Sequence, residues 1–223
     1  MPAIKKIVVI GPESTGKSTL CEQLAQHYYT TWCPEYAREY LTNNGAAYTF
    51  EDLMNIAKGQ IALETSIVNR QSSIFNEEEA HLLRAVGEYN AACLVGCTAA
   101  NLEEAQTSGS RQATSNEQPT PIFIDTDLYV MKVWSEYVFN KCHHYILEQV
   151  ATRKYDLYLL CGIDLPWQAD PLREYPDEKP RQELYRIYKD ILVNQTTPWV
   201  TISGNYNERL QTAIAAVDKQ LKI

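Results

Sequence analysis

The sequence predicts an α/β fold in which helices cover both faces of a parallel sheet. Short apolar runs rich in β-branched residues alternate with helical segments along its 223 residues. The runs lack the polar alternation of a sheet with one solvent face, which indicates strands buried on both sides. A glycine-bounded loop at residues 11–18 follows the first run directly. Strands that alternate with helices form parallel sheets with right-handed crossovers.

The N-terminal part contributes the first strands and helices. We expect a strand over residues 4–10, a helix over 17–29, a short strand over 30–33 and a helix over 35–42. Asn43-Asn44-Gly45 is a helix-stop signal. Thr49-x-x-Asp52 resembles a capping box and predicts the start of the next helix. That helix is amphipathic, because apolar residues recur at roughly 3.6-residue spacing, at Phe50, Leu53, Met54, Ala57, Ile61 and Val68.

The C-terminal part continues the alternation. The sequence predicts strands over residues 121–125, 156–161 and 199–202, and a helix over 128–150 that breaks near Cys142. Asn205-x-x-Glu208 predicts the start of the last helix. Its expected buried stripe consists of Leu210, Ile214, Val217 and Leu221.

One segment interrupts this alternation at residues 76–120. Its first half, residues 77–100, has helical composition, whereas 12 of the 23 residues in 98–120 are Ser, Thr, Asn or Gln. Such a composition cannot bury enough apolar area to offset its ordering entropy. We therefore expect a single domain over residues 1–223 with an insertion at 76–120 that is largely mobile in 98–120. An ordered capping hairpin of helices is the alternative.

Composition limits the partners of the protein. Twenty basic and 28 acidic residues give a net charge of −8 without a basic stripe, which argues against nucleic-acid binding. No apolar run approaches the roughly 20 residues that span a bilayer, and no signal peptide precedes the first strand. We expect a cytoplasmic protein without a membrane partner, whose six cysteines are free thiols. The composition leaves the oligomeric state open.

Residues 11–18, GPESTGKS, match the phosphate-loop motif G-x-x-x-x-G-K-[ST]. The glycines let successive N–H groups face one anion, Lys17 reaches the β- and γ-phosphates, and the Ser18 hydroxyl binds Mg²⁺. The predicted nucleotide is ATP, because Asn140-Lys141-Cys142-His143 lacks the final Asp of a guanine-binding element. The ATP-binding set is Gly11, Glu13, Ser14, Thr15, Gly16, Lys17, Ser18 and Thr19.

Three carboxylates are candidates for the chemistry. Asp125 ends a predicted buried strand, where a second Mg²⁺ ligand is expected beside Ser18. Asp127 lies two residues on and is either a catalytic carboxylate or only the N-cap of the next helix. Glu35 opens a helix that also carries Arg38, and can take a proton from an acceptor hydroxyl. The alternative for Glu35 and Arg38 is a surface salt-bridge set.

Two loops at the same sheet edge complete the predicted site. The connector from Asp164 continues through Trp167 and Arg173 to Lys179-Pro180-Arg181 and suits a lid that brings arginines to a transferring phosphoryl group. An ordinary loop with solvated charges is the alternative. Asn205 follows the last strand, where either nucleotide contact or a plain turn with a helix cap is expected.

Six segments occur in an order that resembles the ribosylnicotinamide kinase domain of NadR and the P-loop ATPase family around it: GPESTGKSTL, PEYAREYL, IAKGQ, FIDTD, DLYLLCGIDLPWQADPLR and ISGNYNERL. The resemblance implies a P-loop NTPase fold of the nucleoside-kinase type, with five parallel strands in the order 2-3-1-4-5. It also implies ATP-dependent phosphorylation of the ribose 5′-hydroxyl of nicotinamide riboside to nicotinamide mononucleotide, a step of NAD salvage. Only three residues precede the first strand, so the adenylyltransferase domain of NadR is expected to be absent.

The resemblance also assigns roles to individual residues. Lys17, Ser18 and Asp125 are implied to handle ATP and Mg²⁺, and Arg173 and Arg181 to belong to the lid. The acceptor nucleoside is implied to face Glu35, Tyr36, Arg38 and Asp127.

Pro34 occupies the place of an expected aromatic residue, so the cation–π face for a pyridinium ring falls to Tyr36, Trp32 or Trp167. A kinase for another nucleoside, or a nucleotide-dependent switch whose insertion binds a partner, is the alternative function.

Overall fold

The computed structural model describes residues 3–96 and 119–222, with backbone but no side-chain description for residues 74–96. Its five parallel strands form one sheet in the order β2-β3-β1-β4-β5, as the resemblance implied. The strands are β1 (Ile4–Ile10), β2 (Trp32–Cys33), β3 (Thr120–Asp125), β4 (Leu157–Cys161) and β5 (Trp199–Ile202).

The seven described helices cover both faces of this sheet. They are α1 (Lys17–His27), α2 (Tyr36–Asn44), α3 (Phe50–Gly96), α4 (Leu128–Phe139), α5 (His144–Thr152), α6 (Glu178–Val193) and α7 (Tyr206–Leu221). In β1, the side chains of Ile7 and Val9 pack with α1 and α7 on one face, and those of Val8 and Ile10 pack with α4 and α6 on the other. The central strands β1, β3 and β4 are buried over most of their length, which explains their continuous apolar sequence. Among the described helices, none combines the length and apolar character needed to cross a bilayer.

Helix α6 was not predicted, because its first turn was assigned to the connector. Leu184, Tyr188 and Leu192 recur every four residues and are all buried, so the helical signal was present. Pro180 lies in the first turn, where proline is tolerated because the N–H groups there have no intrahelical partner. The prediction that residues 179–181 belong to a connector is therefore wrong.

Helix α3 does not end where the insertion was expected to begin. It runs without interruption from Phe50 to Gly96, so residue 76 is no boundary in the backbone. Residues 97–118 lie outside the described residues. The mobility predicted for residues 98–120 stays a prediction up to residue 118, whereas it is wrong at Thr120, which is the first residue of β3. The assignment of a single domain with an insertion also stays a prediction.

Candidate active site

The phosphate loop has the backbone geometry that its glycines permit. Gly11 and Gly16 have φ angles of 148° and 75°, in the region that favours glycine. A Cβ atom on Gly11 would lie 2.8 Å from the carbonyl oxygen of Cys161. Thr15 closes the curl by donating its hydroxyl to Pro12 O at 2.8 Å. Residues 11–19 all line one cleft, at the N-terminus of α1 where a helix attracts anions.

Ser18 and Asp125 meet at the end of β3, as predicted. The Ser18 hydroxyl donates to Asp125 Oδ2 at 2.5 Å, and the Asp125 side chain is buried. Burial raises the pKa of the Asp125 carboxyl to about 6, and the negative charge of Glu35 adds to that shift. Both groups are hard oxygen donors of the kind that Mg²⁺ prefers, so they fit the predicted metal site. Lys17 Nζ lies over the same loop and donates to Pro12 O at 2.9 Å.

Arg209 was not predicted from the sequence, and it binds the backbone of the phosphate loop. Its guanidinium donates to Thr15 O at 2.9 Å, Gly162 O at 3.0 Å and Gly204 O at 2.8 Å, and it forms an ion pair with Asp164. Arg209 is 2% exposed, so its charge is buried, while the side chain of its ion-pair partner Asp164 is 40% exposed. One residue thus joins the loops that follow β1, β4 and β5.

Arg209 also corrects the predicted buried stripe of α7. The buried positions are Arg209, Ala213, Val217 and Leu221, whereas Leu210 and Ile214 are only partly buried. Charged residues are almost never buried without a partner. The signal that could have identified this buried arginine, here called the clamp, was the position of Arg209 one turn before Ala213 on the same helix face.

The connector between β4 and α6 is bound to the phosphate loop through two loop side chains. Glu13 Oε2 accepts hydrogen bonds from the N–H groups of Glu174 and Tyr175 at 3.0 and 3.2 Å. Ser14 Oγ accepts from Gln168 N at 2.8 Å and from the Arg173 guanidinium at 3.3 Å. Both side chains were predicted to bind ATP, and in the structure they hold the connector over the loop.

The two predicted lid arginines have different surroundings. Arg173 lies on the connector and lines the cleft. Arg181 lies in the first turn of α6, is 5% exposed, and donates to Leu165 O at 3.3 Å and Ser14 O at 3.5 Å. The structure thus places Arg173 at the site and gives Arg181 a supporting position behind the loop.

Glu35 shares the cleft with the phosphate loop, in a cavity of about 210 Å³. It is the N-cap residue of α2 and makes no capping bond with its side chain. Arg38, one turn further on, also lines the cleft and pairs with Asp170 of the connector at 3.0 Å. Helix α2 and the connector therefore together close the side of the cleft that contains Glu35, here called the acceptor side.

The aromatic wall of the cleft differs from the predicted one. Among the described residues, neither Trp32, Tyr36 nor Trp167 lines the cleft. Tyr36 packs against Gly59, and the Trp167 indole N–H is buried without a described partner. Four aromatic side chains that line it, here called the aromatic wall, come from α4, the connector and α6, and are Trp134, Tyr137, Tyr175 and Tyr188. Tyr206 of α7 also lines it.

These aromatic side chains support one another. The rings of Tyr137 and Tyr175 pack edge to face with centroids 5.5 Å apart, and the Trp134 indole N–H donates to the Tyr48 hydroxyl at 2.7 Å. Trp134 and Tyr137 lie three residues apart on one helix, which was the only sequence signal for this wall.

Asp127 lies in the core and is absent from the cleft lining of the described residues. It is 1% exposed, and its Oδ1 accepts from Tyr129 N at 3.0 Å as the N-cap of α4. Its Oδ2 accepts from the Tyr158 hydroxyl at 2.8 Å. Burial raises the pKa of this carboxyl to about 7. The structure therefore does not bring Asp127 to Glu35, and it supports the N-cap alternative.

Asn205 caps α7 with the predicted capping box. Its side-chain oxygen accepts from Asn207 N and Glu208 N at 3.0 and 3.1 Å. The next residue, Tyr206, lines the cleft and is 44% exposed. Contact of Asn205 with ATP stays a prediction, and Tyr206 contributes an aromatic side chain at this edge.

Comparison with known proteins shows that the chain matches a protein family. The family model described as "AAA domain" matches residues 6–77 and 72–209. The trifunctional NAD biosynthesis/regulator protein NadR of Escherichia coli (strain K12) is 22% identical over 98% of this chain and 43% of its own length. NadR of Salmonella typhimurium is 20% identical over the same shares. The chain thus spans less than half the length of these curated relatives.

Solved structures share the fold. A crystal structure of NadR in complex with NR gives a TM-score of 0.60 at 21% identity, covering 98% of this chain and 50% of that one. NadR in complex with NAD and AMP-PNP gives 0.58 at 19% identity, with the same coverage. Thymidylate kinase from Ehrlichia chaffeensis gives 0.55 at 12% identity, covering 97% of this chain and 100% of that one. The fold is that of a P-loop NTPase.

Proposed function

Because the chain belongs to the AAA domain family, we propose that it is an ATP-dependent kinase for a small nucleoside, with nicotinamide riboside as the favoured acceptor. The observation that carries this proposal is the composition of one cleft. A phosphate loop, the carboxylate of Glu35 and an aromatic wall all line it. The product would be nicotinamide mononucleotide, which places the reaction in NAD biosynthesis.

The nucleotide side of the cleft would hold the triphosphate. The N–H groups of the loop and of the first turn of α1 face its phosphates, and Lys17 neutralises negative charge on the transferred group. Ser18 and Asp125 would hold Mg²⁺, which supplies further positive charge to the phosphate oxygens when bound. Arg173 adds a third cation from the connector.

The acceptor side would supply the proton transfer. The Glu35 carboxylate accepts the proton of the ribose 5′-hydroxyl while that oxygen forms a bond to the γ-phosphorus of ATP. The bond from that phosphorus to the bridging oxygen breaks, and ADP leaves with the electron pair. The connector, held by Glu13 and Arg38, excludes water that would otherwise compete with the acceptor.

Charge complementarity supports a cationic acceptor. Aromatic rings carry negative charge density on their faces, and both the aromatic wall and Glu35 line the cleft. A pyridinium ring carries a positive charge that the common nucleobases lack. Cation–π contacts contribute about 0.5–2 kcal/mol, which corresponds to a preference of roughly two- to thirtyfold. The complex of NadR with NR, whose fold is similar, agrees with this chemistry.

The decisive experiment measures ADP formation with a panel of ribosides. Nicotinamide riboside is compared with its reduced form, which has the same ribose and an uncharged ring, and with thymidine. We expect nicotinamide riboside to accelerate turnover, with a kcat/KM about tenfold above that of the reduced form. Stimulation by thymidine alone would keep the kinase and replace the acceptor. ATP binding that no riboside stimulates would support the nucleotide-dependent switch instead.

A further inference from the structure

Gln60 of α3 is buried at 2% exposure, and its side chain bonds only to the segment around Glu35 among the described residues. Its Oε1 accepts from Tyr36 N at 2.7 Å. Its Nε2 donates to Pro34 O at 3.3 Å and approaches Cys33 Sγ at 3.4 Å. One amide group thus binds the backbone on both sides of Glu35, although Gln60 lies 24 residues after Tyr36 in the chain.

Gln60 satisfies the first N–H group of α2 from outside the helix. The first four N–H groups of a helix lack intrahelical acceptors, and an N-cap side chain accepts only from the second or third helical residue. The Tyr36 N–H, at the first helical position, takes its acceptor from Gln60. The side chain of the N-cap residue Glu35 makes no capping bond, and it lines the cleft.

The neighbouring Gly59 contacts the side chain of the same residue, Tyr36. A Cβ atom at position 59 would overlap the ring of Tyr36, so only glycine lets the ring lie this close to α3. Gly59 and Gln60 thus hold the ring and the backbone N–H of Tyr36 together. Both contacts set where α2 begins, and with it the direction of Glu35.

We propose that Gln60, with Gly59 beside it, is a positioning residue that holds the start of α2 so that the Glu35 carboxylate meets the acceptor hydroxyl. Gln60 acts through Glu35 and touches neither substrate. The inference rests on the proposed function, because it presupposes that Glu35 takes the acceptor's proton. A shift of about 1 Å at such a group can lower turnover by about a hundredfold.

The first test replaces Gln60 by methionine, which keeps the side-chain volume and removes all three contacts. We expect Gln60→Met to lower kcat about tenfold or more, with the affinity for a non-hydrolysable ATP analogue unchanged within about twofold. Gln195→Met is the matched control. Gln195 also makes three amide contacts, to Leu192 O and to the N–H and C=O groups of Thr197, in a turn before β5. A kcat equal to that of Gln195→Met would overturn the inference.

A double-mutant cycle separates positioning from general stability. In a Glu35→Gln background the group that Gln60 positions is already gone, so Gln60→Met should lower kcat no further. Additive losses would assign Gln60 a merely structural role and overturn the inference. Unchanged turnover in Glu35→Gln alone would overturn the proposed function first, and the positioning role with it.

Amide hydrogen exchange tests the contact without any turnover. We expect the Tyr36 N–H to exchange at least about tenfold faster in Gln60→Met than in Gln195→Met, because only the former loses the acceptor. Equal exchange would overturn the inference. Gly59→Ala serves if Gln60→Met does not fold, because alanine favours the helix while displacing the Tyr36 ring. Its kcat should fall several-fold, and a wild-type kcat would contradict the positioning role.

Discussion

The two sides of the cleft are built in different ways. The nucleotide side is one contiguous loop, curled by glycines and clamped by the buried Arg209. The acceptor side is assembled from α2, α4, α6 and the connector, and is closed by partly exposed contacts. Arg38 and Asp170, for example, form an ion pair with side chains 51% and 20% exposed. Exposed pairs contribute little, whereas buried backbone clamps are costly to remove. The acceptor side should therefore change specificity more readily than the nucleotide side.

The largest effect is expected at the centre of the nucleotide side. Lys17→Ala removes a cation from the transferred phosphate, so we expect kcat to fall by more than about a hundredfold. Folding should persist, because the described contact of Lys17 Nζ is a single bond to Pro12 O. Steady-state turnover and thermal unfolding measure the two quantities. Wild-type turnover in this variant would refute the phosphate-loop mechanism.

A smaller effect is expected on the acceptor side. Glu35→Gln removes the base and keeps the shape, so kcat should fall about ten- to a hundredfold while ATP-analogue affinity stays within about twofold. Glu39→Gln is the matched control, because Glu39 lies one turn further along α2 and is exposed. Loss of nucleotide affinity in Glu35→Gln would show that the two sides are not separable.

The next prediction concerns Arg209, which binds the phosphate loop. Arg209→Lys keeps the charge, but one ammonium cannot replace a planar guanidinium that bonds to three carbonyl oxygens. We expect the affinity for an ATP analogue to fall about tenfold, since the loop would lose its link to the loops after β4 and β5. Arg186→Lys, at an exposed position of α6, should leave that affinity unchanged. Equal affinities in the two variants would contradict the clamp.

The same contrast explains what the sequence could predict. The phosphate loop was identified because its eight residues are contiguous and each has a physical reason. The pairing of Ser18 with Asp125 followed from the position of Asp125 at a strand end. The central strands β1, β3 and β4 were recognised because burial on both faces leaves a continuous apolar run.

The acceptor side could not be predicted in the same way. Its aromatic wall joins Trp134, Tyr175 and Tyr188, which are neighbours only after α4, the connector and α6 have packed. The predicted stackers Tyr36 and Trp167 were chosen for their nearness to motifs in the sequence. Arg209 was missed for a related reason, because its partners follow three different strands. Helix α6 was missed although its apolar spacing was present, because the proline in its first turn suggested a connector.

The smallest effect concerns Asp127, whose carboxylate is buried in the core. Its pKa of about 7 in the folded protein lies above the ordinary value of 3.8, so the folded state binds the proton more tightly than the unfolded chain. The free energy of unfolding should therefore fall as pH rises from about 4 to above 7. Asp127→Asn keeps an acceptor for Tyr129 N and removes the buried charge, so at pH 8 the variant should be more stable than the wild type. Near pH 4 both proteins should unfold at similar denaturant concentrations, because the wild-type carboxyl is then neutral in the folded state. A variant that is less stable than the wild type at pH 8 would mean that the bonds from Tyr158 and Tyr129 outweigh burial. Asp127 would then be a stabilised anion in the core.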